Sequence, residues 1–220
     1  MNTMHSQTPI DHGAWSAWHP AELASRLSGI SRPWCIVGGW ALDLWHGRQT
    51  REHEDLEFTV LRQDFGVFRD ALKGMEFHTA GDGVVEHLPV NQEPPATISQ
   101  IWCLDVEVRR WRVDMMIEPG TRETWIYRRD PAISRPRVEM VGTTAEGFPY
   151  LKPAIVLLFK AKYQRAKDEI DFERALPKLP ASERLWLKTS LAASHPGHEW
   201  LKRLQESQCP RRSHHCDRDT

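Results

Sequence analysis

Three acidic residues have the type and spacing to hold divalent metal ions. Asp55 and Glu57 stand two apart in a stretch, Asp55 to Val60, that alternates polar and apolar residues. Alternation is the period of a strand, and residues two apart on a strand share a face, roughly 6.5–7 Å from each other. Leu56, Phe58 and Val60 then take the opposite face and reach a core. Carboxylates held side by side repel, which raises their pKa unless a cation compensates. A donor set made only of oxygen favours Mg²⁺ or Mn²⁺ over zinc. Residues 106–119 supply the third carboxylate: Val113, Met115 and Ile117 share one face, and Asp114 points the other way with Arg110 and Arg112. If the two strands are neighbours, all three carboxylates converge, as metal-assisted phosphoryl transfer requires. The metals bridge the leaving pyrophosphate, and the third carboxylate holds the second metal or takes the proton of the incoming hydroxyl.

A phosphate seat precedes the acidic pair. Trp34 to Val37 is a short apolar run that ends in Gly38 and Gly39, followed by a short helical pattern from Trp40 to Trp45 and Gly47. Glycines between a strand and a helix N-terminus let backbone N–H groups approach phosphate oxygens with no Cβ in the way. Arg48, Arg51 and His53 lie between this turn and the acidic strand and are candidates to neutralise a triphosphate. A Gly-Gly pair or an Asp-x-Glu alone is commonplace. The order strand, diglycine, helix, arginine, Asp-x-Glu, then a carboxylate on a later strand is what carries the reading.

These residues need a scaffold. A loose leader is expected over 1–17, a helix from Pro20 to Ser28 stopped by Gly29, and a helix from Arg62 to Lys73 stopped by Gly74. Strands are expected around 84–90, 97–108 and 111–118, then an extended connection with one or two edge strands over 119–149. From Leu151 the periodicity is helical. The boundaries expected are an α/β domain at 1–148, a helical region at 149–208 and a disordered tail at 209–220. In the helical half, Lys160, Tyr163 and Lys167 share a face, and Lys160 is the candidate for a β- or γ-phosphate contact. Asp168 and Asp171 are expected to begin or brace the following helix.

Composition sets the limits. The chain has 220 residues, with Lys+Arg 29 against Asp+Glu 30 and a formal net charge of -1. That excludes the strongly basic footprint of a dedicated nucleic-acid binder, so nucleic acid is not expected as a partner. No apolar run approaches the ~18 residues of a membrane span, and the N-terminal stretch lacks the apolar core of a secretory signal. A cytoplasmic location is expected, with Cys35 and Cys103 as buried, reduced thiols. Oligomeric state is not legible.

The stretches G-G-W-A-L-D and G-R-Q-T-R-E-H-E-D-L-E, with V-D-M-M-I-E-P at 113–119, resemble the minimal nucleotidyltransferases of the polymerase-β-like superfamily. The likeness is greatest to the aminoglycoside 2''-adenylyltransferase-like group, which also contains lincosamide nucleotidyltransferases. The resemblance implies an α+β fold, a mixed β-sheet flanked by helices and followed by a smaller helical region. It implies a nucleotidyltransferase that moves a nucleoside monophosphate, AMP from ATP or the corresponding monophosphate from another nucleoside triphosphate, to a small-molecule hydroxyl. It assigns Gly38, Gly39, Arg51 and His53 to the nucleotide, and Asp55, Glu57 and Asp114 to Mg²⁺ or Mn²⁺, Asp114 doubling as general base. The pattern departs from the family at Glu57, where the usual pair is Asp-x-Asp. Two alternatives stand beside this reading: transfer to a protein or RNA in the toxin–antitoxin manner, supported by Arg109, Arg110, Arg112, Arg128 and Arg129, and a degenerate nucleotide binder without turnover, supported by Glu57.

Overall fold

Pro20–Arg26 forms the first helix, α1, with His19 accepting from the Ala21 N–H at its start. Trp34–Ile36 forms β1, and the chain turns at once into α2, Gly38–His46. The two glycines therefore lie inside the first turn of α2, two residues before the start expected from the apolar pattern. Gly47, with φ 72°, closes α2 in the left-handed conformation that glycine adopts without strain. Glu57–Leu61 forms β2, so Asp55 sits just before the strand and not on it. Phe65–Ala71 forms α3, preceded by one 3₁₀ turn.

The described residues, 11–206 of this computed structural model, divide at Lys152 and Pro153 into two units. The first holds β3 (Met75–Gly81), β4 (Val84–Leu88), β5 (Gln100–Asp105) and β6 (Arg110–Glu118). It also holds β7 (Thr124–Ile126), β8 (Ser134–Pro136), β9 (Val141–Thr143) and β10 (Pro149–Leu151). Strand β10 lies where the sequence places the start of the helical region, and β3 was not expected at all. Its sequence, MEFHTAG, has too few apolar residues to show the period. The tail at 209–220 lies outside the described residues.

Eight strands form one sheet in the order β4-β3-β5-β6-β2-β1-β10-β9, and β7 pairs with β8 apart from it. Only β2–β6 and β1–β10 are parallel; the other pairs are antiparallel, giving the mixed sheet expected. One face carries Ile36, Phe58, Val60, Phe77, Ile101, Val113, Met115 and Ile117. These pack with Leu23 and Leu27 of α1 and Phe65 and Phe68 of α3 into the core. Burial of this apolar surface, at roughly 25 cal/mol per Å², anchors the strands that carry the acidic residues on their other face.

That other face has a continuous row. Glu57 on β2 is in register with Asp114 on β6, Asp114 with Trp102 on β5, Trp102 with His78 on β3, and His78 with His87 on β4. A bulge changes the period beside this row. Val113 pairs with Cys103, but Trp111, not Arg112, pairs with Leu104. The extra residue turns Trp111 off the core face, and its ring meets Trp102 and His78 edge-on at 5.3 and 5.1 Å. Residues 14–17, expected to be loose, run with Trp18 along the start of β6. Ser16 and Trp18 donate backbone N–H groups to Trp111 and Arg112, and the Trp111 N–H donates to Ala14. Trp15 then packs on Trp102, with centroids 5.2 Å apart.

The second unit contains α4 (Pro153–Lys160), α5 (Ala166–Ala175), α6 (Ala181–Ser194) and α7 (Trp200–Glu206). Phe172 of α5 stacks on Trp200 of α7, with centroids 4.1 Å apart and planes within 5°. Asp168 caps α5 by accepting the Arg165 N–H, as its position predicts. Among the described residues no helix is long and apolar enough to cross a membrane.

Candidate active site

The strand register brings Glu57 and Asp114 together on one face, with Asp55 at the entry to β2. The convergence expected from spacing alone is thus met by two of the three residues on paired strands. Asp114 is only 2% exposed, and Gln100, on β5, donates its amide N–H to Oδ2 at 2.5 Å. The other oxygen, Oδ1, is buried and accepts no hydrogen bond. Burial, and after it the charges of Glu57 and Asp55, push Asp114 well above the usual carboxylate range; Gln100 offsets this only partly. The indole N–H of Trp102 lies near enough to favour the charged form, but without the geometry of a hydrogen bond.

An oxygen-only donor set containing a buried, unpartnered carboxylate oxygen fits a hard divalent cation. Asp55, Glu57 and Asp114 are the residues that could hold one. Among the described residues no three His, Cys, Asp or Glu side chains are already gathered into a ligand cluster. Closing the set therefore requires side-chain rotation, which a cation's own field would drive.

The diglycine has a concrete steric reason. A Cβ on Gly38, whose φ is +63°, would collide with Oε2 of Glu57. A Cβ on Gly39 would collide with Arg51 Nη2 and would come within 2.6 Å of the His53 ring. Both glycines therefore admit functional side chains to the first turn of α2, where three or four backbone N–H groups lack helical partners. Glu57 reaches this turn because its side chain is one methylene longer than the usual Asp.

His53 has a different part from the one assigned to it. Its Nε2 lies 2.6 Å from Asp43 Oδ2, and its Nδ1 lies 3.0 Å from Arg51 Nη1. Both ring nitrogens are occupied, and the ring rests on Trp40 with centroids 4.5 Å apart. It supports Arg51 and has no nitrogen left for a phosphate. Asp43 is buried at 3% exposure and also accepts from Thr50 Oγ1 at 2.5 Å. Burial pushes its carboxyl up, but the bonds from His53 and Thr50 outweigh that and hold it below the usual value.

Lys160 is likewise committed. Its ammonium lies 2.9 Å from Asp168 Oδ1 and 2.9 Å from Asp171 Oδ2, and all three side chains are buried. Those partners make Lys160 a structural cation of the second unit and correct its assignment to the nucleotide. Lys160→Met removes the buried cation that Asp168 and Asp171 share, leaving Asp168 its ion pair with Arg165, and is expected to cost about 3 kcal/mol of stability. A thermal melt checks this: a variant that melts with the parent and loses nucleotide affinity instead would restore the phosphate role.

Sequence reasoning missed Asp43, Thr50 and Gln100, which bond the candidate site residues. Asp43 did leave a signal. An acid inside the apolar helix run W-A-L-D-L-W must be paired if buried, and Thr50 and His53 were the nearest polar candidates. Gln100 left none, because which strand flanks β6 is a matter of topology. Cys35 and Cys103 are buried free thiols whose pKa burial pushes well up, as expected of unreactive core cysteines.

Residues 21–94, a third of the chain, match a family model described as aminoglycoside-2''-adenylyltransferase. No curated protein matches the chain by sequence. Among solved structures, the fold is similar to that of the antibiotic-resistance factor ANT(2'')-Ia in solution, with TM-score 0.55 and 15% identity, covering 85% of this chain and 95% of that one. The lincosamide antibiotic adenylyltransferase LnuA, lincomycin-bound, gives TM-score 0.49 at 15% identity over 70% of this chain and 91% of that one. ANT(2'')-Ia in complex with adenylyl-2''-tobramycin gives 0.47 at 14% identity, over 85% and 92%. The resemblance read from the motifs is borne out over the matched residues, and the α+β fold is shared with ANT(2'')-Ia.

Proposed function

We propose that this chain moves AMP from ATP onto a hydroxyl of a small molecule of the aminoglycoside or lincosamide kind, with Mg²⁺ or Mn²⁺ at the acidic residues. The observation that carries the reading is Asp114, buried, in register with Glu57 on the adjacent parallel strand, and with one oxygen lacking any partner. The choice of AMP and of an antibiotic-like acceptor rests on the family model matched by residues 21–94. A bound cation would neutralise charge on the triphosphate and the departing pyrophosphate. Asp55 and Glu57 would ligate it, and Asp114 would ligate it or accept the acceptor's proton. Among the three, Asp114 is suited to take the proton because burial raises the proton affinity of its carboxylate. Arg51, with the backbone N–H groups of the first turn of α2, would hold the triphosphate.

Three of the five basic residues that would favour a macromolecular acceptor have local work. Arg112 bonds Asp105 at 3.1 Å and the Ser16 carbonyl at 2.9 Å, Arg128 donates to Ser99, and Arg129 is within 3.5 Å of the Tyr127 hydroxyl. Small-molecule transfer is the better reading. Calorimetry with ATP is expected to show Mg²⁺-dependent binding that Asp55→Ala weakens at least tenfold, as loss of a metal ligand does. Equal, metal-independent binding in both proteins removes the metal site. Pyrophosphate release with tobramycin and lincomycin, across the four nucleoside triphosphates, then identifies acceptor and base.

A further inference from the structure

We propose that Asp43 is a positioning residue for nucleotide binding: it fixes the tautomer of His53, and the tautomer aims Arg51 at the diglycine. The inference deepens the reading above and rests on Arg51 being a triphosphate ligand.

The chemistry of the three partners leaves one arrangement. The carboxylate of Asp43 only accepts, so His53 Nε2, 2.6 Å from Oδ2, carries the proton. The guanidinium of Arg51 only donates, so His53 Nδ1, 3.0 Å from Nη1, is bare. The geometry therefore places a ring proton of His53 on Nε2 and an acceptor at Nδ1. If the proton sat on Nδ1, two N–H groups would face each other and Arg51 would be driven off. The second oxygen of Asp43 is held by Thr50, so the carboxylate cannot rotate away. Trp40 fixes the plane of the ring, and Arg51 Nη1 has a further anchor in the Glu52 carbonyl at 2.9 Å. Nη2 of the same guanidinium then lies against Gly39, where only a glycine leaves room. Asp43 lies in α2 beyond the diglycine, and its carboxylate is taken up by His53 and Thr50. Its influence travels through one proton on one ring.

The relay makes a distinctive set of predictions. Asp43→Leu removes the acceptor for Nε2–H, frees the proton to move to Nδ1, and is expected to weaken Mg-ATP binding about 10–100-fold, the usual effect of losing an outer partner of a ligand. Asp43→Asn keeps an oxygen for His53 only by turning its amide toward Thr50, whose hydroxyl and backbone N–H both donate to Asp43, so it is expected to keep the tautomer and to lose less affinity than Asp43→Leu. His53→Gln offers one donor and one acceptor and retains most binding. His53→Phe keeps the stacking on Trp40 but neither hydrogen bond, and behaves as Asp43→Leu does; it is the second variant should Asp43→Leu not fold.

The experiment is calorimetry of Mg-ATP binding on these full-length variants, with Arg51→Ala as reference, alongside nitrogen NMR of the His53 ring. Supporting results are an Nε2–H signal in the parent and in Asp43→Asn, its loss or migration to Nδ1 in Asp43→Leu, and affinity that follows the tautomer. Parent-like affinity in Asp43→Leu and His53→Phe, equal losses in Asp43→Asn and Asp43→Leu, or an Nδ1–H in the parent overturns the relay alone. If Arg51→Ala binds as the parent does, or the parent binds no Mg-ATP, the reading of the triphosphate seat fails first and the relay falls with it.

Discussion

Asp114→Asn is expected to make the protein more stable at neutral pH while sharply slowing nucleotidyl transfer. Asp114 is buried, one of its oxygens has no hydrogen bond, and Glu57 and Asp55 oppose its charge. Its native pKa is raised, so the folded protein holds this proton more tightly than the unfolded chain does. The stability the group supplies is complete below the ordinary carboxylate pKa. It is lost as pH rises through the higher native value. Asparagine keeps the shape and an acceptor for Gln100 but cannot ionise. A gain on the order of 1–2 kcal/mol, the scale for relieving a buried unsatisfied group, moves the melting temperature of a chain this size up by roughly 2–8 °C. The gain is greatest near pH 8 and shrinks as pH falls toward 4. Added Mg²⁺ should raise the melting temperature of the parent and leave the variant unmoved, since only a ligand that binds the native state stabilises it. Turnover should drop about 10²–10⁴-fold, as for loss of a general base. Equal melting curves at pH 7.5, or retained turnover, would falsify the placing of Asp114 at the reacting centre.

The opposition of stability and function at Asp114 bears on how the site could be read at all. The alternation of Glu57 with Phe58 and Val60 was enough to put that carboxylate on the non-core face, because a strand's period is fixed by its backbone, whereas Asp55 falls just before the strand. The pairing of β2 with β6 was not contained in that spacing. It follows from which apolar faces α1 and α3 cover, a property of the assembled sheet. The bulge at Arg112 shows the same limit: counting by two from Val113 puts Trp111 in the core, and one extra residue puts it beside Trp102. Residues 14–18 carry little local signal, yet Trp15 and Trp18 tie them to β6. At Lys160 and His53 the residue types were right for phosphate, but burial supplied nearer partners. A charged group out of water takes whatever counter-charge lies within reach.

The glycines supply the remaining large effect, and they should separate cleanly. Gly39→Ala meets no backbone penalty, since Gly39 does not occupy the positive-φ region. Its new methyl meets Arg51 and the His53 ring, and that ring is pinned by Asp43 and Trp40. The variant should fold normally and lose about 10–100-fold in nucleotide affinity, by displacing an ion-pairing side chain. Gly38→Ala carries two costs. A non-glycine residue at φ +63° costs roughly 1–2 kcal/mol, and its methyl strikes the Glu57 carboxylate. The carboxylate is the far end of a flexible side chain, so it moves, and what is lost is its place relative to Asp55 and Asp114. A displacement of ~1 Å at a reacting centre can cost about 10²-fold in rate. The collision exists only because position 57 carries Glu. Glu57→Asp withdraws the carboxylate by about 1.5 Å, one C–C bond, and clears the space that the new methyl needs. The double variant Gly38→Ala/Glu57→Asp should therefore recover most of the rate lost in Gly38→Ala while keeping its backbone strain. The coupling is read from a double-mutant cycle on pyrophosphate release, with melting curves beside it. Additive losses in rate would mean that Gly38 and Glu57 do not share a space during turnover. Recovery would explain how this chain accommodates a longer acid at a position where an Asp is expected: Gly38 leaves open the room that its extra methylene requires.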